Sequence, residues 1–67
     1  MGEIVVNGEA RELDGPAPLL EVLQFLGFPT KWIVVERNGE PVPREALGDT
    51  TVGPGDRLEI ATPMAGG

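Results

Sequence analysis

Apolar and polar positions change period along this chain, and each change marks an element. In MGEIVVNGEAREL, Met1 to Leu13, two short runs flank Asn7-Gly8, with Ile4 and Val6 alternating onto one face and Val5 onto the other. Asn-Gly is a strong hairpin signal because both residues accept φ > 0. Asp14-Gly15-Pro16 then breaks the strand pattern, and LLEVLQFLGF takes helical spacing: Leu19, Val22, Leu23 and Leu26 fall at i, i+3, i+4 and i+7, with Glu21 and Gln24 turned outward. Pro18 fits the first helical turn, where its missing N–H is not needed, and Gly27 fits the αL position after the last turn. A helix of two to three turns does not stand alone in water. It must lie on a sheet.

Trp32 to Arg37, WIVVER, is β-branched and runs into a second Asn-Gly, Asn38-Gly39. The returning segment GEPVP carries Pro41 and Pro43, which restrict it to a short edge strand. Arg44 to Leu47 fits one helical turn, Val52-Gly53-Pro54-Gly55-Asp56 is dense turn chemistry, and RLEIAT alternates Leu58 and Ile60 against Arg57 and Glu59. The predicted order is β-hairpin, helix, β-hairpin, strand. A sheet with one helix on one face is a two-layer α+β sandwich, here over residues 1–62.

With 67 residues, no Cys and no His, the chain is one domain without disulfide or histidine staples, and packing of Leu, Ile, Val and Phe must hold it. Eleven acidic residues against five basic ones give a net charge of −6, spread along the sequence. Nucleic-acid backbones and anionic membranes repel such a surface. A protein partner with a basic patch attracts it, and plain solubility explains the same charge. No apolar run approaches the roughly 18 residues that cross a bilayer, so cytoplasmic residence is the default expectation.

Chemistry narrows by elimination. Without His or Cys the common general base, the thiol nucleophile and most transition-metal sites are missing. Glu3, Glu9, Glu12, Glu36, Glu40 and Glu59 fall on strand faces or turns where solvated charge is expected, and the turn around Pro54 lacks the lysine of a phosphate loop. The basic residues are scattered and no aromatic stacking series accompanies them. Phe25 and Phe28 are expected in the core. Trp32 is expected to pack over the sheet edge, with a partner contact as its other reading.

The C-terminus remains. Pro63 has no N–H to continue a ladder, and Met64, Ala65, Gly66 and Gly67 offer little apolar area to offset the cost of ordering them. A mobile tail over residues 63–67 is therefore expected. Two residues without Cβ pass through a channel that side chains would block, and they expose the terminal carbonyl carbon to close approach. Such a carboxylate suits attack on the α-phosphate of ATP inside another protein. A plain disordered end has the same composition.

Taken together, IVVNGEAREL, VVERNGEPVPRE, GPGDRLEI and the final AGG resemble, over nearly the whole chain, the ThiS family of thiamine-biosynthesis sulfur carriers. The resemblance implies a ubiquitin-like β-grasp, a mixed sheet of four to five strands crossed by one main helix, with the first and last strands parallel at its centre. It implies that the protein is a co-substrate and not an enzyme, with no bound cofactor. Gly67 would be adenylated and would then carry a thiocarboxylate, while Met64, Ala65, Gly66 and Gly67 enter partner active sites. The implied partners are an adenylating enzyme of the ThiF type, using ATP and a sulfur donor, a thiazole synthase of the ThiG type, and indirectly a cysteine desulfurase system. Asn38-Gly39-Glu40 with Val42-Pro43-Arg44 matches the family's NGE-x-VPR pattern. The aromatic residue frequent after it is replaced by Glu45-Ala46-Leu47-Gly48.

Alternation assigns Val5, Val34 and Ala61 to the sheet face away from the helix, with Glu36 and Glu59 beside them. That face is the expected docking surface of a chain that is a monomer when alone. Other acceptors of the same carrier chemistry are molybdopterin, a tRNA base and a cysteine precursor, and a ubiquitin-like modifier or interaction module is a different class.

Overall fold

The computed structural model describes residues 2–62, so the tail expected over residues 63–67 lies outside the described residues. Strand alternation sets the architecture. β1 (Glu3–Val6) and β2 (Glu9–Glu12) pair antiparallel around Asn7 at φ 52° and Gly8 at φ 85°. Asn38 at φ 54° and Gly39 at φ 86° repeat that geometry between β4 (Val34–Arg37) and β5 (Glu40–Val42). Both Asn-Gly turns thus have the two positive φ values that match strand twist. The last strand, β7 (Arg57–Ala61), enters between the hairpins, parallel to β1 and antiparallel to β4, giving the order β2-β1-β7-β4-β5. This is a mixed five-stranded sheet with one helix packed on it, the ubiquitin-like β-grasp.

The helix α1 (Leu19–Leu26) buries Leu19, Val22 and Leu23 against Ile4, Val6, Val35, Leu58 and Ile60. Gly27, at φ 86°, ends it: its N–H reaches the Gln24 carbonyl at 3.1 Å and that of Phe28 reaches Leu23 at 2.9 Å. Those two bonds satisfy carbonyls that the helix terminus leaves free. Leu26 and Phe28 pack partly buried at the margin of the core.

Two short strands carry no period of their own. β3 (Ala17–Pro18) pairs antiparallel with β6 (Thr51–Val52), forming a separate two-stranded sheet. Pro18 accordingly stands one residue before the helix, at the cap position with ψ 139°, and not within the first turn. It offers no side-chain cap, and the loop after β5 supplies the acceptors instead. Leu19 N–H donates to the Thr50 carbonyl at 2.7 Å and Leu20 N–H to that of Leu47 at 3.0 Å. Helix N-termini leave such N–H groups without internal partners. The expected single turn after Pro43 is a 3₁₀ helix, Arg44–Ala46, and the buried Leu47 and Val52 close this end of the core.

Two aromatic expectations are corrected. Phe25 is 82% exposed, because it lies roughly 110° round the helix axis from the centre of the buried stripe. Trp32 is 68% exposed in the left-handed conformation, φ 59°, in the loop leading to β4. Phe25 thus stands outside the core, and the indole of Trp32 is mostly open to solvent instead of packed over the sheet edge, which leaves its other reading, a partner contact, in place.

Candidate functional site

The open face of the sheet is built by the pleat. Since Val35, Leu58 and Ile60 are buried toward α1, their neighbours Val34, Glu36, Glu59 and Ala61 point the other way. Register brings them together: Val34 lies opposite Ala61 and Glu36 opposite Glu59, while Val5 on β1 stands opposite Arg57. All five residues assigned by alternation therefore share this face. A shallow depression of about 290 Å³ is lined by Val34, Glu36, Glu59 and Ala61. Val34 is 55% exposed. Among the described residues, neither Glu36 nor Glu59 takes part in an ion pair.

The face is apolar at one end, where Val34 lies opposite Ala61, and acidic in the middle, where Glu36 lies opposite Glu59. Trp32 precedes Val34 by two residues, so it stands at the end of the sheet where β7 finishes at Ala61. The apolar end of the face is thus the end at which β7 finishes. Met64, Ala65, Gly66 and Gly67 themselves lie outside the described residues.

Side-chain amides and one carboxylate, which the sequence pattern marks only as turn formers, hold β7 in place. Asn7 donates through Nδ2 to the Ile60 carbonyl at 3.0 Å and accepts the Ile60 N–H on Oδ1 at 2.7 Å. Asn38 accepts the Arg57 N–H on Oδ1 at 2.9 Å and donates its own N–H to the Arg57 carbonyl at 2.8 Å. Asp56 collects the Gly53 N–H at 2.9 Å, Arg37 Nε at 3.1 Å and Asn38 Nδ2 at 3.1 Å. The backbone donor of Gly53, then Asn38 and Arg37, hold its carboxyl below the ordinary carboxylate value against an opposing effect of burial. The available signal was the choice of Asn at the first position of both turns, a residue able to bond outside its own hairpin.

Among the described residues no group of three or more Asp or Glu side chains is placed to hold a metal ion. Among those residues, too, no helix is long and apolar enough to cross a membrane. The sequence model of the ThiS family matches residues 4–67. The chain belongs to the ThiS family. Its structure is similar to the crystal structure of the thiamine biosynthesis protein ThiS from Geobacter metallireducens, with 37% identity and a TM-score of 0.81 over 97% of this chain and 99% of that one. A solution structure of a thiamine biosynthesis protein from the same organism gives 37% identity and a TM-score of 0.79, covering 97% of this chain and 87% of that one. A thiazole synthase of Paramagnetospirillum magneticum is 35% identical over 65 residues, 97% of this chain. The ThiS-family chain spans only 20% of that protein's length.

Proposed function

We propose that this ThiS-family chain is a sulfur carrier that delivers sulfur for the thiamine thiazole from a thiocarboxylate on Gly67. The family match running through Gly66 and Gly67 carries the reading. Similarity to a thiazole synthase favours thiazole over the other acceptors.

In the proposed sequence, a Gly67 carboxylate oxygen attacks the α-phosphorus of ATP within a ThiF-type enzyme. The α–β phosphoanhydride bond breaks and pyrophosphate leaves, giving an acyl-adenylate. A sulfide equivalent, HS⁻, from the sulfur donor then attacks the carbonyl carbon; the C–S bond forms as AMP departs. The resulting thiocarboxylate passes to a ThiG-type thiazole synthase. The carrier contributes shape, a docking face and a narrow arm, while the base and the phosphate-binding groups belong to its partners. Six residues follow Ala61 up to and including Gly67, and six extended residues reach about 20 Å. A partner seated on Val5, Val34, Glu36, Glu59 and Ala61 thus has its catalytic centre within reach of the terminus.

Intact-mass spectrometry of the chain after incubation with a ThiF-type enzyme, ATP and a sulfur donor tests this. An oxygen-to-sulfur mass increase confined to Gly67 is expected, and it should vanish when Gly67 is deleted while the fold persists. Normal sulfur delivery by the deletion variant, or lysine-linked conjugates without thiocarboxylate, would overturn the carrier reading.

A further inference from the structure

The parallel pairing of β1 with β7 covers only Val5 with Arg57 and Val6 with Leu58. Its backbone bonds advance two residues at a time, Val5 N–H to the Asp56 carbonyl at 3.0 Å and Asn7 N–H to that of Leu58 at 2.9 Å. At Asn7 the backbone turns away at φ 52°, before it can serve Ile60. The Asn7 side chain takes over. Its Oδ1 accepts the Ile60 N–H and its Nδ2 donates to the Ile60 carbonyl, the bonds a longer β1 would have made with its backbone. Both ladder groups of Ile60 point toward β1, and Ile60 is only 8% exposed. Without the amide they would be left short of partners beside the core.

We infer that Asn7 is a positioning residue for the carrier arm: by holding both backbone groups of Ile60 it fixes the line along which β7 leaves the sheet toward Gly67. The inference rests on the reading of Gly67 as the activated end. Asn38 performs a comparable grip at the opposite end of β7, on Arg57. Loss of either amide weakens the strand, but only loss of Asn7 acts next to the arm. A bound carboxylate displaced by about 1 Å loses rate steeply, because near-attack geometry carries much of the acceleration. The docking face is untouched, so recognition of the body stays constant while turnover falls.

The test compares Asn7→Gly with Asn38→Gly in the full chain, since glycine retains the positive φ of each turn and removes only the amide. Hydrogen exchange at the Ile60 amide should accelerate about tenfold or more in Asn7→Gly relative to Asn38→Gly. Carrier-dependent ATP–pyrophosphate exchange by the activating enzyme should show kcat about tenfold lower for Asn7→Gly with KM within about twofold of wild type, while Asn38→Gly keeps kcat. Equal kcat in the two variants, or unchanged Ile60 exchange, overturns the inference. Should Asn7→Gly unfold, Asn7→Asp replaces it: one acceptor is kept, the donor is lost, and full turnover would overturn the positioning role. A wild-type chain that supports no exchange with ATP sinks the carrier reading itself, a result separate from wild-type activity retained by the Asn7 variants.

Discussion

Glu36 of β4 and Glu59 of β7 stand directly opposite one another on the open face of the sheet. Like charges in that relation destabilise a strand pair. If this face docks a partner as proposed, a cation of that partner relieves the repulsion in the complex. Glu59→Gln should therefore raise the isolated domain's stability by about 0.5 kcal/mol in urea melts. On that reading the same change should slow association with a ThiF-type activating enzyme severalfold at low salt, with the difference closing as ionic strength rises. An association rate unaffected at low salt would remove this carboxylate pair from the docking surface.

Trp32 carries the next prediction. It is the chain's one tryptophan, mostly exposed, in a left-handed conformation that costs L-residues roughly 1–2 kcal/mol. Glycine relieves that strain but adds freedom to the unfolded chain worth about 0.5–1 kcal/mol. Trp32→Gly should consequently change stability by less than about 1 kcal/mol, followed by circular dichroism because the fluorophore is lost. Truncation of a buried tryptophan costs about 3–5 kcal/mol. A loss of that size would place the indole in the core.

Where the alternation was clear, the fold was legible in advance. Ile4 and Val6, Leu58 and Ile60, and the stripe Leu19, Val22, Leu23 each report a face directly, and the two Asn-Gly pairs mark their hairpins. Phe25 and Trp32 depart from expectation for a shared reason: position in the element, not side-chain apolarity, decides burial. Phe25 sits off the helical stripe, and Trp32 lies in a loop where no period applies. Ala17-Pro18 and Thr51-Val52 are too short to show a period, and their pairing follows from the closure of the loop from Leu47 to Thr50 over the helix N-terminus. The five residues of the open face followed from pleat alternation. The grip of Asn7 on Ile60 did not, since the partners are 53 residues apart and only the parallel crossover brings them together.

Asp56 makes stability depend on acid. Its folded-state carboxyl titrates below the ordinary value near 3.8, with the Gly53 N–H as the leading cause. The ionised form therefore contributes stability that is fully present above about pH 5 and is lost as pH falls through the folded-state value. Arg37 is 38% exposed, so the ion pair itself adds little beside the hydrogen bonds. Asp56→Asn should cost about 1–2 kcal/mol at pH 7, and its deficit relative to wild type should shrink below about pH 4. Urea denaturation across pH 2.5 to 7 measures it, at roughly half-unit steps. A deficit independent of pH would assign the effect to geometry and not to charge.

Gly2 is predicted to resist substitution for lack of space. A Cβ there would meet Pro54 Cγ at 2.6 Å, Pro54 Cβ at 2.7 Å and the Leu13 carbonyl oxygen at 2.9 Å. A ring and a backbone atom have little room to yield. The Leu13 oxygen is held close because the Leu13 N–H donates to the Gly2 carbonyl at 3.0 Å, and the Gly55 N–H to that of Glu3 at 2.8 Å fixes the turn carrying Pro54. Gly2→Ala should cost about 1–3 kcal/mol as forced overpacking, a large share of the roughly 3–10 kcal/mol expected for a domain of this size. Gly15 provides the control, with nothing within 4 Å of its added Cβ. Gly15→Ala should be neutral or stabilising by up to about 1 kcal/mol through the unfolded chain. Urea midpoints that separate the two variants in this direction at equal m-values support the close approach of β1 to the Pro54 turn; coincident midpoints would show that this contact gives way at no cost.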